Sequence, residues 1–363
     1  MPKPVEIGGA PVVTLEAADL PAHGPAFVSA DVLPGRGMML LQARLRLASG
    51  AVVDGLHAPA PREAAGKLDG GPGDAFGNAA FSFGGALLAP YANRITGRIG
   101  PQGREIEALV DGRPVRLPAN WAGKAAGARR YAMHGLILDA QVPFAQPGPA
   151  AVTGRLDADD FGGRWPSRCE MNFAWRLRAG ALELEVAVRN TGEAALPFGL
   201  GWHPYFALPS GRRSEARLWL PAGLRAEVDN YDDVLPTGRL VSTSESPYDF
   251  NDPDGRALGQ LYLDDCFTDL VREGGAAVVE IRDPGAALGL RISSPTPEVR
   301  AVQVYAPPDQ AFVVVEPQFN LADPYSSVWP TEVDTGMARL EPGASLTYRV
   351  HVEPFAAGEP AGG

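Results

Sequence analysis

Two side chains with acid–base capacity stand in unusual surroundings in this sequence. Glu316 follows the apolar run 312–315, so its carboxylate lies either at the rim of a sheet or in a dry pocket. Burial raises the pKa of a carboxyl toward neutrality, which is what a general base needs. His203 lies in the segment 197–206, where Tyr205 is the other ionisable residue. These two residue types are candidates for general acid–base catalysis.

Aromatic residues precede and follow His203 within the segment 197–206. Aromatic rings beside a polar group suit the apolar face of a sugar. A core histidine that bonds to a backbone carbonyl is an equally good interpretation of His203. For His134, in the segment 131–136, the same structural interpretation is preferred from residue types alone.

Two further polar segments are candidates for binding hydroxyl groups. Asn93 and Arg94 place an amide beside a guanidinium, and the planar fork of arginine can bridge two neighbouring oxygens. Asp264, which precedes Asp265, can accept hydrogen bonds from hydroxyls or cap a turn. An arginine that ties down a turn is the preferred interpretation of Arg94 when it is taken alone.

The overall charge and the absence of common motifs exclude several classes of function. The 363 residues include 43 acidic and 32 basic ones, for a formal net charge of −11, and the basic pairs 129–130 and 212–213 are isolated. Such a balance repels nucleic acid. The sequence has no phosphate-loop, dinucleotide-binding, nucleophile-elbow or HExxH motif, and no two histidines at close metal-ligand spacing. We expect no cofactor, no metal and no nucleic-acid partner.

The cysteines, the N-terminus and the hydropathy of the chain bear on its cellular location. Cys169 and Cys266 show no paired spacing and are expected to be buried free thiols. The N-terminus lacks the pattern of a signal peptide, and no apolar run approaches the roughly 20 residues that cross a bilayer. We therefore expect a cytoplasmic protein with no membrane contact.

The elements that position these residues are predicted to be short β-strands. The 43 glycines and 35 prolines are spread along the chain, which indicates many turns. Apolar and polar residues alternate over 182–189, and 311–315 is continuously apolar, as in a strand buried on both faces. Further strands are predicted at 40–47, 278–281, 288–292, 301–305 and 346–352.

Helix signals are scarce, and the strands show no alternation with helices. This pattern predicts an all-β fold, a large antiparallel sandwich formed by a single domain over residues 1–355. The Gly-rich segment 66–77 is predicted to be a surface loop, and 101–124 a hairpin. The tail 356–363 is predicted to be disordered.

Taken in order, several short segments resemble the aldose 1-epimerase (galactose mutarotase) family. The resemblance covers about residues 35–355. Each motif is short, but their order and spacing together are specific. The segments are Pro90-Tyr91-Ala92-Asn93-Arg94-Ile95, Met133-His134-Gly135-Leu136, Gly201-Trp202-His203-Pro204-Tyr205-Phe206, Leu263-Asp264-Asp265-Cys266-Phe267, Val315-Glu316-Pro317-Gln318 and Leu340-Glu341-Pro342-Gly343.

The resemblance implies a galactose mutarotase-like β-supersandwich and a cofactor-free isomerase that interconverts the α and β anomers of a free aldopyranose. By similarity, Glu316 is the general base, His203 the general acid in its imidazolium form, and His134 assists at the ring oxygen. The implied partner is a small-molecule sugar, bound by a monomer or homodimer. The implied substrate-binding residues are Asn93, Arg94, Tyr205 and Asp264.

Two departures from the family pattern and three alternatives accompany this assignment. Phe319 replaces a small polar residue, and the segment 95–133 is longer than usual. A hexose-6-phosphate mutarotase would use arginines such as Arg129 and Arg130 to hold a phosphate. A non-catalytic sugar-binding or regulatory protein would not need the acid–base set. A glycosidase would use two carboxylates, here Asp264 and Glu316.

Overall fold

Short strands separated by turns make up most of the chain in the computed structural model, which describes residues 4–125 and 127–358. The described helical elements are α1, Pro61–Lys67, and 3-10 turns at Pro34–Arg36, Pro72–Phe81, Arg213–Glu215 and Pro284–Ala286. The described strands are β1 Glu6–Ile7, β2 Ala10–Pro11, β3 Val13–Glu16, β4 Ala26–Leu33, β5 Met39–Arg46, β6 Val52–Asp54, β7 Gly85–Leu88, β8 Arg94–Ile95, β9 Arg98–Ile99, β10 Glu105–Val110, β11 Arg113–Pro118, β12 Trp121–Ala122, β13 Arg130–Met133, β14 Phe144–Gly148, β15 Ala151–Asp159, β16 Cys169–Arg178, β17 Ala181–Asn190, β18 Leu196–Phe198, β19 Gly201–Ala207, β20 Arg217–Trp219, β21 Ala222–Val228, β22 Pro236–Ser242, β23 Arg256–Ala257, β24 Leu263–Leu270, β25 Arg272–Glu273, β26 Ala276–Asp283, β27 Leu288–Ser294, β28 Ala301–Ala306, β29 Phe312–Gln318, β30 Ala338–Leu340 and β31 Ser345–Phe355.

Two large antiparallel sheets form the body of the fold, which confirms the predicted β-supersandwich. One sheet has the strand order β14-β15-β16-β17-β31-β27-β26-β20-β23, with β25 beside β26. The other has the order β22-β21-β24-β28-β29-β19-β7-β5-β4-β3, with β6 beside β5. The alternating segment 182–189 lies in β17. Every residue of β29 is buried, which confirms the prediction for 312–315, whereas Ala311 is exposed and precedes the strand.

The main core lies between the two sheets. Trp175 on β16 meets Trp202 on β19 edge to face, with ring centroids 5.5 Å apart. Tyr348 on β31 donates a hydrogen bond to the Pro317 carbonyl on β29 at 2.6 Å. Phe319 is fully buried and packs on Tyr348, with ring centroids 5.7 Å apart. This departure from the family pattern therefore fills the core between the sheets.

A second layer covers the opposite face of the second sheet. Its buried apolar residues include Leu88 from β7 and Tyr131 and Met133 from β13. The small sheet β12-β13-β8 carries Tyr131 and Met133, and β10 and β11 form the hairpin predicted within 101–124. The second layer and the large sheet enclose the site described below.

The prediction of a surface loop over 66–77 is wrong in part. Helix α1 extends to Lys67, and the 3-10 turns begin at Pro72. Asp74 is buried and holds this segment through a bidentate ion pair with Arg36, with N–O distances of 2.7 and 2.9 Å. Because a buried ion pair needs close partners, it draws a Gly-rich segment into the packed structure.

The remaining expectations concern the cysteines, the termini and the membrane. Cys169 and Cys266 are buried and free, as expected. Of the predicted tail, 359–363 lie outside the described residues, and 356–358 follow β31 without regular structure. No helix in the described part of the chain is long and apolar enough to span a membrane. The domain bounds and the cytoplasmic location stay predictions.

Candidate active site

Strand register places the predicted catalytic residues on one face of the second sheet. Gln303 on β28 lies directly opposite Glu316 on β29. The register of β19 on β29, which pairs Tyr205 with Val314, puts His203 opposite Glu316 from the other side. Successive side chains alternate between the faces of a strand, so these residues point into the second layer while their neighbours fill the main core.

Two loops of the second layer bring Asn93 and His134 into the site. Asn93 and His134 both have left-handed backbone conformations, with φ of 59° and 61°, and the His134 amide donates to the Asn93 carbonyl at 2.9 Å. Such conformations are uncommon outside glycine, although asparagine and histidine tolerate them better than most residues. Gly135 follows with φ of 86°, and a Cβ there would lie 2.2 Å from the Ala89 carbonyl oxygen. The close approach of the two loops therefore requires glycine at this position.

The candidate acid and base are close together and almost completely buried. Nε2 of His203 lies 3.4 Å from Oε1 of Glu316, and the two residues are 6% and 1% exposed. The ring of His134 stands edge-on to that of His203, with centroids 4.9 Å apart. Within residues 4–125 and 127–358, Oε2 of Glu316 and Nδ1 of both histidines find no hydrogen-bond partner. The described residues therefore leave the hydrogen-bonding capacity of these buried atoms unused.

Burial determines the protonation of these groups. It raises the pKa of Glu316 well above its usual range, and the nearby Asp264 carboxylate acts in the same direction. Burial lowers the pKa of His203 to about 4 and that of His134 well below its usual value. Burial therefore favours the neutral form of both groups, which is a protonated carboxyl for Glu316 and a neutral imidazole for His203. This differs from the imidazolium expected for His203, because a dry site disfavours charge.

Four polar side chains close a ring beside this pair. Arg94 donates to Oδ1 of Asn93 at 2.7 Å, and Asn93 donates to Oε1 of Gln303 at 3.1 Å. Gln303 donates to Oδ1 of Asp264 at 2.7 Å, and the Asp264 carboxylate lies 3.8 Å from the Arg94 guanidinium. Nε of Arg94 has no partner among the described residues. The ring holds the Asp264 carboxylate as an acceptor and the Arg94 guanidinium as a donor, and these two groups suit the hydroxyl groups of a sugar.

These groups line one cavity of about 570 Å³, within the usual range for a small-molecule site. Tyr205 stacks on His203 with centroids 5.1 Å apart, and its hydroxyl donates to the Phe81 carbonyl at 2.8 Å. Tyr205 therefore offers the cavity its ring and an acceptor oxygen, since its proton is already engaged. The predicted site residues thus all come together: Glu316, His203, His134, Asn93, Arg94, Tyr205 and Asp264.

Sequence reasoning missed Gln303 and several aromatic residues of the cavity wall. Gln303 is a buried polar residue in the otherwise apolar strand β28, a signal that was available in the sequence. Phe81 follows the segment 66–77, which is predicted to be a loop, and Trp121 lies in the segment 101–124, which is predicted to be a hairpin. Their distance along the chain from any motif hid their role.

The arginine pair considered for phosphate binding lies elsewhere. Arg129 and Arg130 are exposed and line a separate surface cleft with Thr96 and Arg98. Neither is among the described residues that line the cavity. Lys124 does line the cavity, and its ammonium donates to the Tyr231 carbonyl at 2.8 Å.

Two packed antiparallel sheets with this site on one of them define a galactose mutarotase-like β-supersandwich. The chain belongs to the aldose 1-epimerase family, whose profile matches residues 47–354. A solved structure of a GalM/aldose epimerase homologue from C. elegans is 17% identical, with a TM-score of 0.71 over 95% of this chain and 99% of that one. A galactose mutarotase-like protein from Clostridium acetobutylicum is 16% identical, with a TM-score of 0.70 and the same coverage.

A curated relative gives a shorter match. The uncharacterized protein YphB of Escherichia coli (strain K12) is 29% identical over 130 residues, which make up 34% of this chain. The matched part spans 42% of the length of that relative.

Proposed function

We propose that this protein is an aldose 1-epimerase that interconverts the α and β anomers of a free aldopyranose. The observation that carries the proposal is the 3.4 Å contact between Nε2 of His203 and Oε1 of Glu316 in a buried, sugar-sized cavity. A non-catalytic binding protein would not need to bury two proton-transfer groups in contact. The ring of Arg94, Asn93 and Asp264 would hold the hydroxyl groups.

Anomerisation requires two proton transfers on the same sugar. The anomeric hydroxyl loses a proton while the ring oxygen gains one, and the ring opens to an aldehyde. Rotation about the bond between C1 and C2, followed by the reverse transfers, closes the ring on its other face. A positioned acid and base typically contribute about 10²–10⁴-fold for each transfer.

The buried pair supplies both groups from one shared proton. Ring opening with Glu316 as base and His203 as acid starts from carboxylate and imidazolium. It ends with a protonated carboxyl and a neutral imidazole, which is the state that burial favours. Before a sugar binds, the favoured protonation state of the pair is therefore that of the open-chain stage. Binding of the ring form moves the shared proton from Glu316 to His203. His134 would contact the ring oxygen beside it.

The proposal is tested by polarimetry of freshly dissolved glucose or galactose with the purified protein. Acceleration above the spontaneous rate that scales with protein concentration is expected. Spontaneous rates with every aldopyranose tried would refute the proposed activity. Size-exclusion chromatography of the same purified protein tests the prediction that it is a monomer or homodimer.

A further inference from the structure

A buried asparagine lies just beyond the strand that carries Glu316. Asn320 follows the end of β29 by two residues and is completely buried. Its side-chain oxygen accepts a hydrogen bond from the Ala92 amide at 3.1 Å, and its side-chain nitrogen donates to the Ala92 carbonyl at 2.8 Å. The same nitrogen also donates to the Leu321 carbonyl at 2.9 Å. One side chain therefore satisfies both backbone groups of a residue in a distant segment of the chain.

The residue held in this way precedes two polar residues that line the cavity. Asn93 follows Ala92 with the left-handed backbone described above, and Arg94 comes next. Arg94 begins β8, which is only two residues long and pairs with β13. So short a strand gives this segment few backbone hydrogen bonds of its own. The contacts of Asn320 with Ala92 are therefore a large part of what fixes Asn93 and Arg94.

Asp323 fixes the other end of the same segment. Its amide donates to the Arg94 carbonyl at 2.7 Å. Its buried carboxylate accepts hydrogen bonds from the Thr96 amide at 2.9 Å and from the Thr96 hydroxyl at 2.6 Å. We call Asn320 and Asp323 the clasp. The clasp holds the chain at Ala92 and again at Thr96, on both sides of the polar pair.

The chain also leaves room for the Asn320 amide next to the strand that carries His203. Gly199 lies two residues before β19, and a Cβ at this position would lie 2.1 Å from Oδ1 of Asn320. A larger residue here would displace the amide, because that oxygen is already bonded to the backbone. The segments that carry Glu316, His203 and Arg94 therefore meet at Asn320.

We propose that Asn320 and Asp323 are positioning residues, which set the positions of Asn93 and Arg94 relative to Glu316 for sugar binding. This inference rests on the proposed epimerase activity. Neither member of the clasp is among the described residues that line the cavity, so both act through the segment they hold. Without the clasp, the Arg94 guanidinium would shift relative to the buried acid–base pair.

A double-variant cycle separates positioning from stability. With Arg94 present, Asn320→Ala should lower kcat/KM for glucose or galactose about tenfold, mainly through a higher KM. With Arg94→Ala in place, most of this loss should disappear, because residues of one network are coupled whereas independent sites are additive. If Asn320→Ala does not fold, Thr96→Val takes its place. That variant removes one hydroxyl bond to Asp323 and should give a smaller loss with the same dependence on Arg94.

Asn190 provides the matched control. It is also completely buried, ends β17 in the first sheet, and donates from its side chain to the Ala194 and Leu340 carbonyls, both at 2.8 Å. Asn190→Ala should lower the melting temperature, as Asn320→Ala does, but leave kcat and KM unchanged in both backgrounds. An equal kinetic loss in Asn190→Ala would mean that general loosening explains the effect, and would overturn the positioning inference.

A second measurement does not depend on turnover. Burial lowers the pKa of His203, and the positive charge of Arg94 lowers it further. In an NMR titration of the histidine rings, Asn320→Ala should raise the pKa of His203 when Arg94 is present and have little effect beside Arg94→Ala. The other ionisable groups that face His203 are the same in every variant: Glu316, His134 and Tyr205.

The two measurements keep the two proposals apart. Activity with additive losses, or an unchanged pKa of His203 in Asn320→Ala, would overturn the positioning inference alone. No acceleration with any sugar would overturn the epimerase proposal. In that case the NMR titration still decides whether the clasp positions Arg94, because a shift that requires Arg94 supports it and an equal shift in both backgrounds rejects it.

Discussion

His203 and Glu316 face each other across neighbouring strands, with Nε2 and Oε1 3.4 Å apart. The neutral pair and the charge-separated pair differ by the position of one proton between these atoms. Burial of both residues favours the neutral form, while a bound sugar with a developing charge at O1 or the ring oxygen favours the other. A pair balanced in this way can work in both directions, as a reversible epimerisation requires.

Removal of either member of the pair should abolish most of the activity. Glu316→Gln and His203→Ala should each lower the anomerisation rate about 10²–10⁴-fold, since each removes one of two coupled proton transfers. Polarimetry gives the rates and thermal melts show that the variants are folded. Glu185→Gln, on the other sheet and paired with Arg349, is the control and should keep full activity. A folded Glu316 or His203 variant with near-normal rates would contradict the assignment.

The activity should follow a bell-shaped pH profile. In the active form, Glu316 and His203 together carry one proton. The pair gains a second proton near pH 4, because the pKa of His203 is lowered to about 4. The raised pKa of Glu316 delays the loss of the single proton to pH values well above the usual carboxyl range. Activity should fall toward the acid end near pH 4 and again at high pH, with both limbs belonging to the coupled pair. A rate that rises steadily with pH would contradict this.

The same burial should make Glu316 a source of pH-dependent instability. Because the pKa of Glu316 is raised in the folded protein, the unfolded chain releases this proton at lower pH, above about pH 4.3, so this group lowers the free energy of unfolding as pH rises toward its raised folded pKa. Glu316→Gln removes this pH-dependent contribution to the free energy of unfolding. Its melting temperature relative to wild type should therefore rise from pH 5 to pH 8. Glu185→Gln should show no such trend, and a flat difference for Glu316→Gln would show that its carboxyl is ionised in the folded protein.

Much of the fold and the site could be predicted from the sequence, and the limits have physical causes. Alternation reports which face of a strand is buried and a continuous apolar run reports burial on both faces, so β17 and most of β29 could be predicted from their residues alone. The motifs gave the catalytic candidates. Strand pairing between distant segments is not visible in the sequence, so the position of Gln303 opposite Glu316 was missed. The buried ion pair of Asp74 was also hidden, because its partner Arg36 is far away along the chain.

Loss of Gln303 should weaken substrate binding more than turnover. Gln303→Leu keeps the size of the side chain but removes the bonds that hold Asn93 and Asp264. Unmade hydrogen bonds of this kind cost about 1–3 kcal/mol, so kcat/KM should fall about tenfold to a hundredfold, mainly through a higher KM. Gln146→Leu, on the exposed strand β14, is the matched control. A fall confined to kcat would instead place Gln303 in the proton transfer.

The location of the arginine pair bears on the choice between a neutral sugar and a sugar phosphate. Arg129 and Arg130 belong to a surface cleft of about 640 Å³ that is separate from the site. Arg94, inside the site, already contacts Asn93 and Asp264. The net charge of −11 also disfavours the approach of a dianion, although salt screens that effect.

A neutral aldopyranose should therefore be preferred over its 6-phosphate. Glucose should show a higher kcat/KM than glucose 6-phosphate, because Arg94 is already engaged by Asn93 and Asp264, and the exposed Lys124 at the cavity donates to the Tyr231 carbonyl. Neither cation is therefore placed to replace the water around a phosphate. Arg129→Ala and Arg130→Ala should leave both values unchanged, since these side chains lie outside the site. Lys124→Ala is the informative comparison, because Lys124 lines the cavity. A preference for the phosphate that disappeared in the Arg129 or Arg130 variant would identify a hexose-6-phosphate mutarotase, and one that disappeared with Lys124→Ala would place the phosphate at the mouth of the cavity.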